Sequence, residues 1–102
     1  MRTVELSRSF YDELNNLLQQ GLPKFGGQIV AEKRALVIAT IETHLVHFPK
    51  RRPDPKLGIC VYSITKTPFV LLYDYDDAEL RIHLIVHERA DRTSIDLSAV
   101  VW

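Results

Sequence analysis

The sequence predicts a single α+β domain in which helices pack on one face of a mostly antiparallel sheet. The chain has 102 residues, which is the length of one domain. Apolar residues recur with a helical period up to the proline-rich loop, and with a period of two beyond it. Hydrophobic residues make up 46% and charged residues 25% of the chain, as in ordinary globular domains. We therefore expect residues 1–102 to form one unit.

The N-terminal residues predict a short strand followed by a helix. Thr3–Leu6 alternates polar and apolar residues, and Ser7 or Ser9 can cap the helix that follows. The apolar face of this helix comprises Phe10, Leu14, Leu17 and Leu18. Gly21 and Pro23 are expected to end it.

A second, longer helix is predicted from Phe25 to Val46, where apolar residues keep a helical stripe. Pro49 should end it, since proline restricts the residue before it and cannot continue the hydrogen-bond pattern. At 1.5 Å per residue the helix would be roughly 33 Å long. The short connection between the two helices favours an antiparallel helical hairpin.

Three strands are predicted after a basic, proline-rich loop, Pro49–Lys56. They are Leu57–Thr65, Phe69–Tyr75 and Glu79–His87. The short breaks between them require neighbouring antiparallel strands, so the sheet has three to four strands when the N-terminal strand is counted. Asp96 is expected to cap a last turn, Leu97–Val101.

The charge of the chain is balanced overall but unevenly distributed. Thirteen basic and thirteen acidic residues cancel, which argues against a protein that its overall field draws to nucleic acid. A local basic patch can still bind phosphate, and the proline-rich loop carries four basic residues. We predict that the residues binding a nucleic acid or another target are Arg51, Arg52, Lys56 and Arg81.

Cysteine usage and hydropathy predict a cytoplasmic protein. Cys60 is the single cysteine, so an intramolecular disulfide is impossible, and mid-strand it is expected to be a small buried apolar residue. The N-terminus lacks the long apolar region of a signal peptide, and the longest uncharged apolar stretch, Phe69–Tyr73, is too short to span a membrane. No spacing matches a metal-ligand or phosphate-loop motif, so we expect neither a metal nor a cofactor.

The side chains of the last predicted strand, Glu79–His87, alternate cleanly between the two faces of the sheet. The side chains on one face should meet the helices, and they are Leu80, Ile82, Leu84 and Val86. The other set should lie on the open face of the sheet, and it comprises Glu79, Arg81, His83, Ile85 and His87. On the neighbouring strand Phe69, Leu71, Tyr73 and Tyr75 share one face. Tyr73 and Tyr75 are expected beside the row of histidine and arginine side chains.

The chemistry of that open face is typical of RNA cleavage. His83 and His87 can exchange protons near neutral pH, and Arg89, just past the strand end, can hold a phosphate. The candidate catalytic residues are therefore Arg89, His87 and His83. An ordinary solvated sheet face is the competing interpretation, in which Arg81 pairs with the acidic residues of the nearby turn.

Three segments in the second half of the chain resemble the C-terminal half of RelE/ParE toxins. They are Val61–Ile64, Pro68–Tyr73 and Leu80–His87 leading into Glu88–Asp91. The family typically pairs an "apolar–apolar–Tyr" strand with a strand that ends in His or Gly beside an Arg. The predicted first strand and helical hairpin match the family order as well, so the resemblance covers nearly the whole chain.

This resemblance implies a small cytoplasmic inhibitor of bacterial growth that is encoded beside an antitoxin. In the family the antitoxin wraps the toxin with an extended or helical segment and usually carries a DNA-binding domain. RelE-like members cut messenger RNA in the ribosomal A site. ParE-like members poison DNA gyrase and are not nucleases.

The catalytic residues of RelE-like members match this sequence poorly. Ser63 and Thr65 stand where the family has lysines, and Val70 stands where it has an arginine. Arg89 matches a second arginine, whereas no tyrosine follows Tyr75 near the C-terminus. An RNase without these cations loses the electrostatic stabilisation on which such catalysis depends.

We therefore predict the toxin of a type II toxin–antitoxin module, with a slight preference for ParE-like inhibition of DNA gyrase. One alternative is a RelE-like, ribosome-dependent mRNA endonuclease, so whether the chain is an enzyme is left open. The other is a non-toxic module that only binds an antitoxin. The expected partners are a cognate antitoxin and either DNA gyrase or the ribosome with its mRNA.

Overall fold

Four strands form one mixed sheet in the computed structural model, which describes residues 2–102. The strands are β1 (Thr3–Leu6), β2 (Cys60–Ser63), β3 (Phe69–Tyr75) and β4 (Glu79–His87). Their spatial order is β1–β4–β3–β2. β1 runs parallel to β4, and the other two pairs are antiparallel. The predicted bounds of β1, β3 and β4 are confirmed.

β2 is shorter than the predicted strand Leu57–Thr65. The residues before it form a turn in which the backbone N–H of Gly58 donates to the carbonyl of Asp54 at 2.7 Å. Gly58 has a φ of 76°, which bends the chain away from an extended path. The basic loop therefore continues further along the chain than the alternation of residues predicts.

A single helical element, α1, spans Arg8–Ala39. Ser7 caps it as predicted, because its Oγ accepts from the backbone N–H of Phe10 at 2.8 Å. The prediction of two separate helices is corrected, since Gly21 and Pro23 lie inside α1 and do not end it.

The backbone of α1 breaks instead at Gly26, where φ is 79° and ψ is 166°. That conformation is almost exclusive to glycine, so the break lies at the one kind of residue that tolerates it. Beyond it, Arg34 Nη2 donates to Asn15 Oδ1 at 2.6 Å. A straight helix would hold these two residues roughly 28 Å apart. α1 therefore doubles back at Gly26.

A π-helical turn, Thr40–Leu45, continues α1. Thr40 Oγ1 donates to the carbonyl of Leu36 at 2.7 Å, and Thr43 Oγ1 donates to that of Ala39 at 2.6 Å. These threonine bonds compete with the ordinary backbone pattern of a helix. The helical conformation ends within one residue of the predicted Val46, just before Pro49.

The hydrophobic core lies between α1 with its π-helical turn and one face of the sheet, which we call the core face. The helical side includes Phe10, Leu14, Leu18, Val37, Ile41 and Leu45. The core face includes Leu71, Tyr73, Leu80, Ile82 and Ile85. Cys60 is buried, as predicted, and its burial raises the pKa of the thiol.

A β-bulge interrupts the pairing of β3 with β4. Leu72 pairs with Leu84, whereas the next residue, Tyr73, pairs with Ile82. β4 thus holds one extra residue, His83, at this point. The bulge shifts the alternation of β4 by one position for every residue after it.

The other face of the sheet, here called the outer face, is covered by the C-terminal segment, residues 91–102. Arg92 Nη1 binds Asp54 Oδ2 beside β2 at 2.6 Å, and the N–H of Val101 donates to Ser9 Oγ at 2.8 Å near β1. The segment therefore crosses the sheet, which explains why Leu72 is fully buried away from the core. The predicted wet, open face is thus corrected. Asp96 caps the turn Leu97–Ala99 through its Oδ1, as predicted.

Candidate functional site

His83 projects from the bulge on the outer face, where two different groups hold its ring. Its Nε2 lies 2.8 Å from Asp74 Oδ2 on β3. The ring of Trp102 meets it in a T-shaped arrangement, with 4.8 Å between centroids. The His83 side chain keeps only 16% of its surface exposed. The histidine ring is therefore oriented by a carboxylate and packed edge-on against an aromatic ring.

Arg81 lies two residues earlier and binds three carboxylates. Its Nε donates to Asp74 Oδ1 at 2.5 Å, and its Nη1 donates to Glu79 Oε1 at 2.9 Å and to Asp76 Oδ2 at 3.0 Å. The bonds to Glu79 and Asp76 raise the pKa of Arg81, and the bond from Arg81 lowers the pKa of Asp76. The expectation that Arg81 pairs with the acidic turn is confirmed by these contacts. Its predicted role in target binding stays a prediction.

His87 points to the core face, which corrects its predicted place beside His83. It pairs across the sheet with Phe69, a member of the core, because the bulge has reversed the alternation of β4. It lines a small apolar cavity of about 150 Å³ together with Leu18 and Phe25 of α1. The backbone N–H of Arg89 donates to His87 Nδ1 at 3.1 Å, and Arg89 itself is exposed.

The three predicted catalytic residues therefore do not converge. His83 lies on the outer face with Asp74, whereas His87 and Arg89 lie at the far end of β4, and the ring of His87 is on the core side. The same reversal places Ile85 in the core, while Leu84 and Val86 face outward with Leu72 and Val70. The run Leu84-Ile85-Val86 was the available signal, since three successive apolar residues break a polar–apolar alternation.

The tyrosines of β3 are also on the core face, not beside the histidine and arginine row. Tyr73 is fully buried and pairs with Ile82, and Tyr75 pairs with Leu80. The hydroxyl of Tyr73 donates to the carbonyl of Pro49 at 2.8 Å, which fixes the start of the basic loop. Burial raises the pKa of the Tyr73 hydroxyl.

The three predicted basic residues of the loop have different surroundings. Arg51 is half-buried; its guanidinium carbon lies 5.1 Å from the centre of the Tyr62 ring, and its Nη2 lies 3.4 Å from His44 Nε2. Arg52 and Lys56 are exposed. Sequence reasoning missed Asp74 and Trp102 as partners of His83, since neither the bulge nor the path of the C-terminal segment leaves a sequence pattern.

Neither a metal centre nor a membrane-spanning helix is found in the part of the chain that the structure describes. Residues 2–102 hold no group of three or more histidine, cysteine and acidic side chains arranged to bind a metal ion. Over the same range no helix combines the length and the apolar character that crossing a membrane requires.

Comparisons with known proteins show a likeness of fold. No family model matches the sequence, and no curated protein matches it. A solved structure described as the chromosomal ParDE TA system from P. aeruginosa contains a similar chain, with a TM-score of 0.73 and 13% identity. The likeness covers 85% of this chain and 96% of that chain. Since the identity is so low, the likeness is one of fold alone: the chain has the α+β fold of a protein from a ParDE toxin–antitoxin structure.

Proposed function

We propose that this protein is the toxin of a type II toxin–antitoxin module and acts by a ParE-like, non-catalytic mechanism on DNA gyrase. The observation that carries the proposal is the fold, which is shared over 96% of a chain from the ParDE structure. A fold alone is compatible with several functions, so the choice of mechanism rests on the candidate site.

The placement of the candidate residues supports a non-catalytic mechanism. General acid–base cleavage of RNA needs a proton donor, a proton acceptor and a cation around one phosphate. Here His83 and His87 lie on opposite faces of the sheet, and Arg81 is bound to three carboxylates. Val70, at the position where RelE-like members have an arginine, is buried outside the core cluster. The mRNA endonuclease remains the alternative that the same experiment tests.

The exposed apolar side chains of α1 support an antitoxin partner. Leu22, Phe25 and Ile29 flank the bend at Gly26 and keep 41%, 51% and 44% of their surfaces exposed. Large exposed apolar side chains that lie close together in the chain are a candidate interaction surface. We propose that an antitoxin segment covers this surface.

Induced expression in a bacterial host tests the toxin function. We expect growth arrest with an SOS response and cleaved DNA, as gyrase poisoning requires. Arrest with codon-positioned cuts in messenger RNA would instead establish the endonuclease. Normal growth at confirmed high expression would leave only the non-toxic, antitoxin-binding module.

Alanine variants of Arg89, His87 and His83 test the candidate residues in the same assay. Under the proposed non-catalytic mechanism we expect all three variants to keep arresting growth, whereas relief by a variant with the circular dichroism spectrum of the wild type would favour the endonuclease. Arg8→Ala is the matched control, because Arg8 is exposed at the positive end of α1 and its loss does not weaken the helix.

Phe25→Ser tests the antitoxin surface. This variant should still arrest growth, but co-expression of the protein encoded by the adjacent reading frame should no longer restore growth. Tyr11→Ser is the matched control, since Tyr11 is an aromatic residue of α1 with a similar exposure of 48%. If both variants are neutralised equally well, the partner binds elsewhere.

A further inference from the structure

A cleft of about 450 Å³ lies between Arg2 and the loop that follows the π-helical turn. The side chains that line it include Arg2, His47, Phe48, Lys50, Arg51 and Tyr75. Three of its lining residues are permanent cations, and none is a carboxylate. On a chain whose net charge is zero, this is a local concentration of positive charge.

The cations of the cleft are oriented without being neutralised. Among residues 2–102, no ion pair involves Arg2, Lys50 or Arg51; the ion pairs belong to Arg81, His83 and Arg92. Backbone carbonyls hold the two arginines instead. Arg51 Nη1 donates to the carbonyl of Lys50 at 2.7 Å, and Arg2 Nε donates to that of Asp76 at 2.6 Å. A carbonyl fixes a guanidinium but leaves its charge available to an anion.

Aromatic rings lie beside these cations. Phe48 keeps 64% of its surface exposed, so its ring is available to a ligand. The guanidinium carbon of Arg2 lies 5.5 Å from the centre of the Tyr75 ring. Cations alternating with an exposed aromatic ring are the arrangement that binds phosphates while a base stacks on the ring.

We propose that this cleft binds a nucleoside phosphate, with the phosphate at Arg2, Lys50 and Arg51 and the base against Phe48. The same chemistry is found in a free nucleotide and in one unit of a single-stranded nucleic acid. Asp74 and Asp76, which flank Tyr75 in sequence, do not repel the anion strongly, because Arg81 binds both. Nucleotide binding by the cleft is independent of growth inhibition, and it is measured on the purified protein.

Fluorescence anisotropy of a labelled oligothymidylate of about eight nucleotides tests the proposal. We expect binding at low salt that weakens as salt rises, because binding releases cations condensed on the phosphates and this release is less favourable at high salt. Competition with unlabelled thymidine monophosphate distinguishes the two sources. Displacement by the monophosphate identifies a nucleotide site, whereas resistance to it identifies a site for a strand.

Two variants separate the contribution of charge from that of stacking. Lys50→Ala should weaken binding about tenfold at low salt and reduce the slope of log K against log salt by about 0.7. Phe48→Ala should weaken binding about 5- to 100-fold with the slope unchanged. Both residues are exposed or line an open cleft, and unchanged thermal unfolding would show that the fold is intact.

Lys24→Ala and Arg8→Ala are the matched controls, because both residues are exposed cations of α1 that do not line the cleft. They should leave the affinity within about twofold of the wild type. Two results would overturn the proposal: no binding of the oligonucleotide or the nucleotide at low salt, or an equal loss of affinity in Lys24→Ala and Lys50→Ala.

Discussion

His83 Nε2 lies 2.8 Å from Asp74 Oδ2, and His83 is the extra residue that a β-bulge places between Ile82 and Leu84. Without the bulge, His83, Ile85 and His87 would all lie on the same face of the sheet. The bulge leaves His83 on the outer face beside Asp74 and turns His87 toward the core. One inserted residue thus determines which candidate catalytic groups can act together.

The contact between His83 and Trp102 predicts a fluorescence change in His83→Ala. Trp102 is the only tryptophan, so its emission reports on the end of the C-terminal segment alone. Removal of the imidazole exposes more of the indole, which is already 47% exposed. We expect emission at longer wavelength and stronger quenching by iodide.

His47→Ala is the control for this measurement, because His47 is an exposed histidine far from Trp102 in sequence and in contact with Phe48 instead. Emission and quenching should stay unchanged in that variant. If His83→Ala also leaves both unchanged, the C-terminal segment does not rest on His83 in solution.

The sheet was largely predictable from the sequence, because alternation over β3 and β4 is a local property. Phe69–Tyr75 and Glu79–His87 have the predicted bounds, and so does β1. The direction of each side chain was predictable only as far as His83. The register shift arises from the pairing of β4 with β3. That pairing is a contact between two segments, so the alternation within one strand does not reveal it.

The bend of α1 was predicted at the wrong place for a related reason. Gly21 and Pro23 are ordinary stop signals, yet the chain stays helical through both and turns at Gly26. The chain could reverse direction at any of several neighbouring glycines. The choice depends on how the two halves of α1 pack together, through contacts such as that of Arg34 with Asn15. The path of residues 91–102 over the outer face is equally non-local.

Gly26 and Gly27 are adjacent glycines with different expected tolerance of alanine. Gly26 has a φ of 79° and a ψ of 166°, so Gly26→Ala should lower the free energy of unfolding by about 1–3 kcal/mol. Nothing lies within 4 Å of a Cβ at Gly27, and its φ is not positive. Gly27→Ala should leave the stability unchanged or raise it by up to ~1 kcal/mol.

Urea unfolding of both variants measures the difference. Equal stability of the two would mean that the chain does not turn at Gly26. A loss in Gly27→Ala alone would place the turn one residue later.

Tyr73→Phe should destabilise the protein through a single lost hydrogen bond. The Tyr73 hydroxyl is fully buried and donates to the carbonyl of Pro49 at 2.8 Å. The phenylalanine keeps the ring but leaves that carbonyl without its donor, at a cost of about 1–2 kcal/mol. Thermal unfolding measures it, with Tyr11→Phe as the control because the Tyr11 side chain is 48% exposed. A loss of similar size in both variants would show that the bond to Pro49 contributes nothing specific.

Asp76 predicts a pH-dependent contribution to stability. Its pKa is lowered from 3.8, mainly by the bond from Arg81 and also by the backbone N–H groups of Ala78 and Glu79. A carboxylate whose pKa is depressed by folding stabilises the folded state fully above the pKa of the unfolded state, and this stabilisation disappears as pH falls through the folded pKa.

Asp76→Asn keeps the shape of the side chain and removes its charge. The variant should therefore be less stable than the wild type at neutral pH, and the two free energies of unfolding should converge as pH falls below about 3.8. Urea unfolding at a series of pH values tests this, with Asp77→Asn as the control, since Asp77 is the neighbouring exposed carboxylate and makes no ion pair among residues 2–102. A difference between wild type and Asp76→Asn that stays constant down to the lowest pH would show that the charge of Asp76 is not its source.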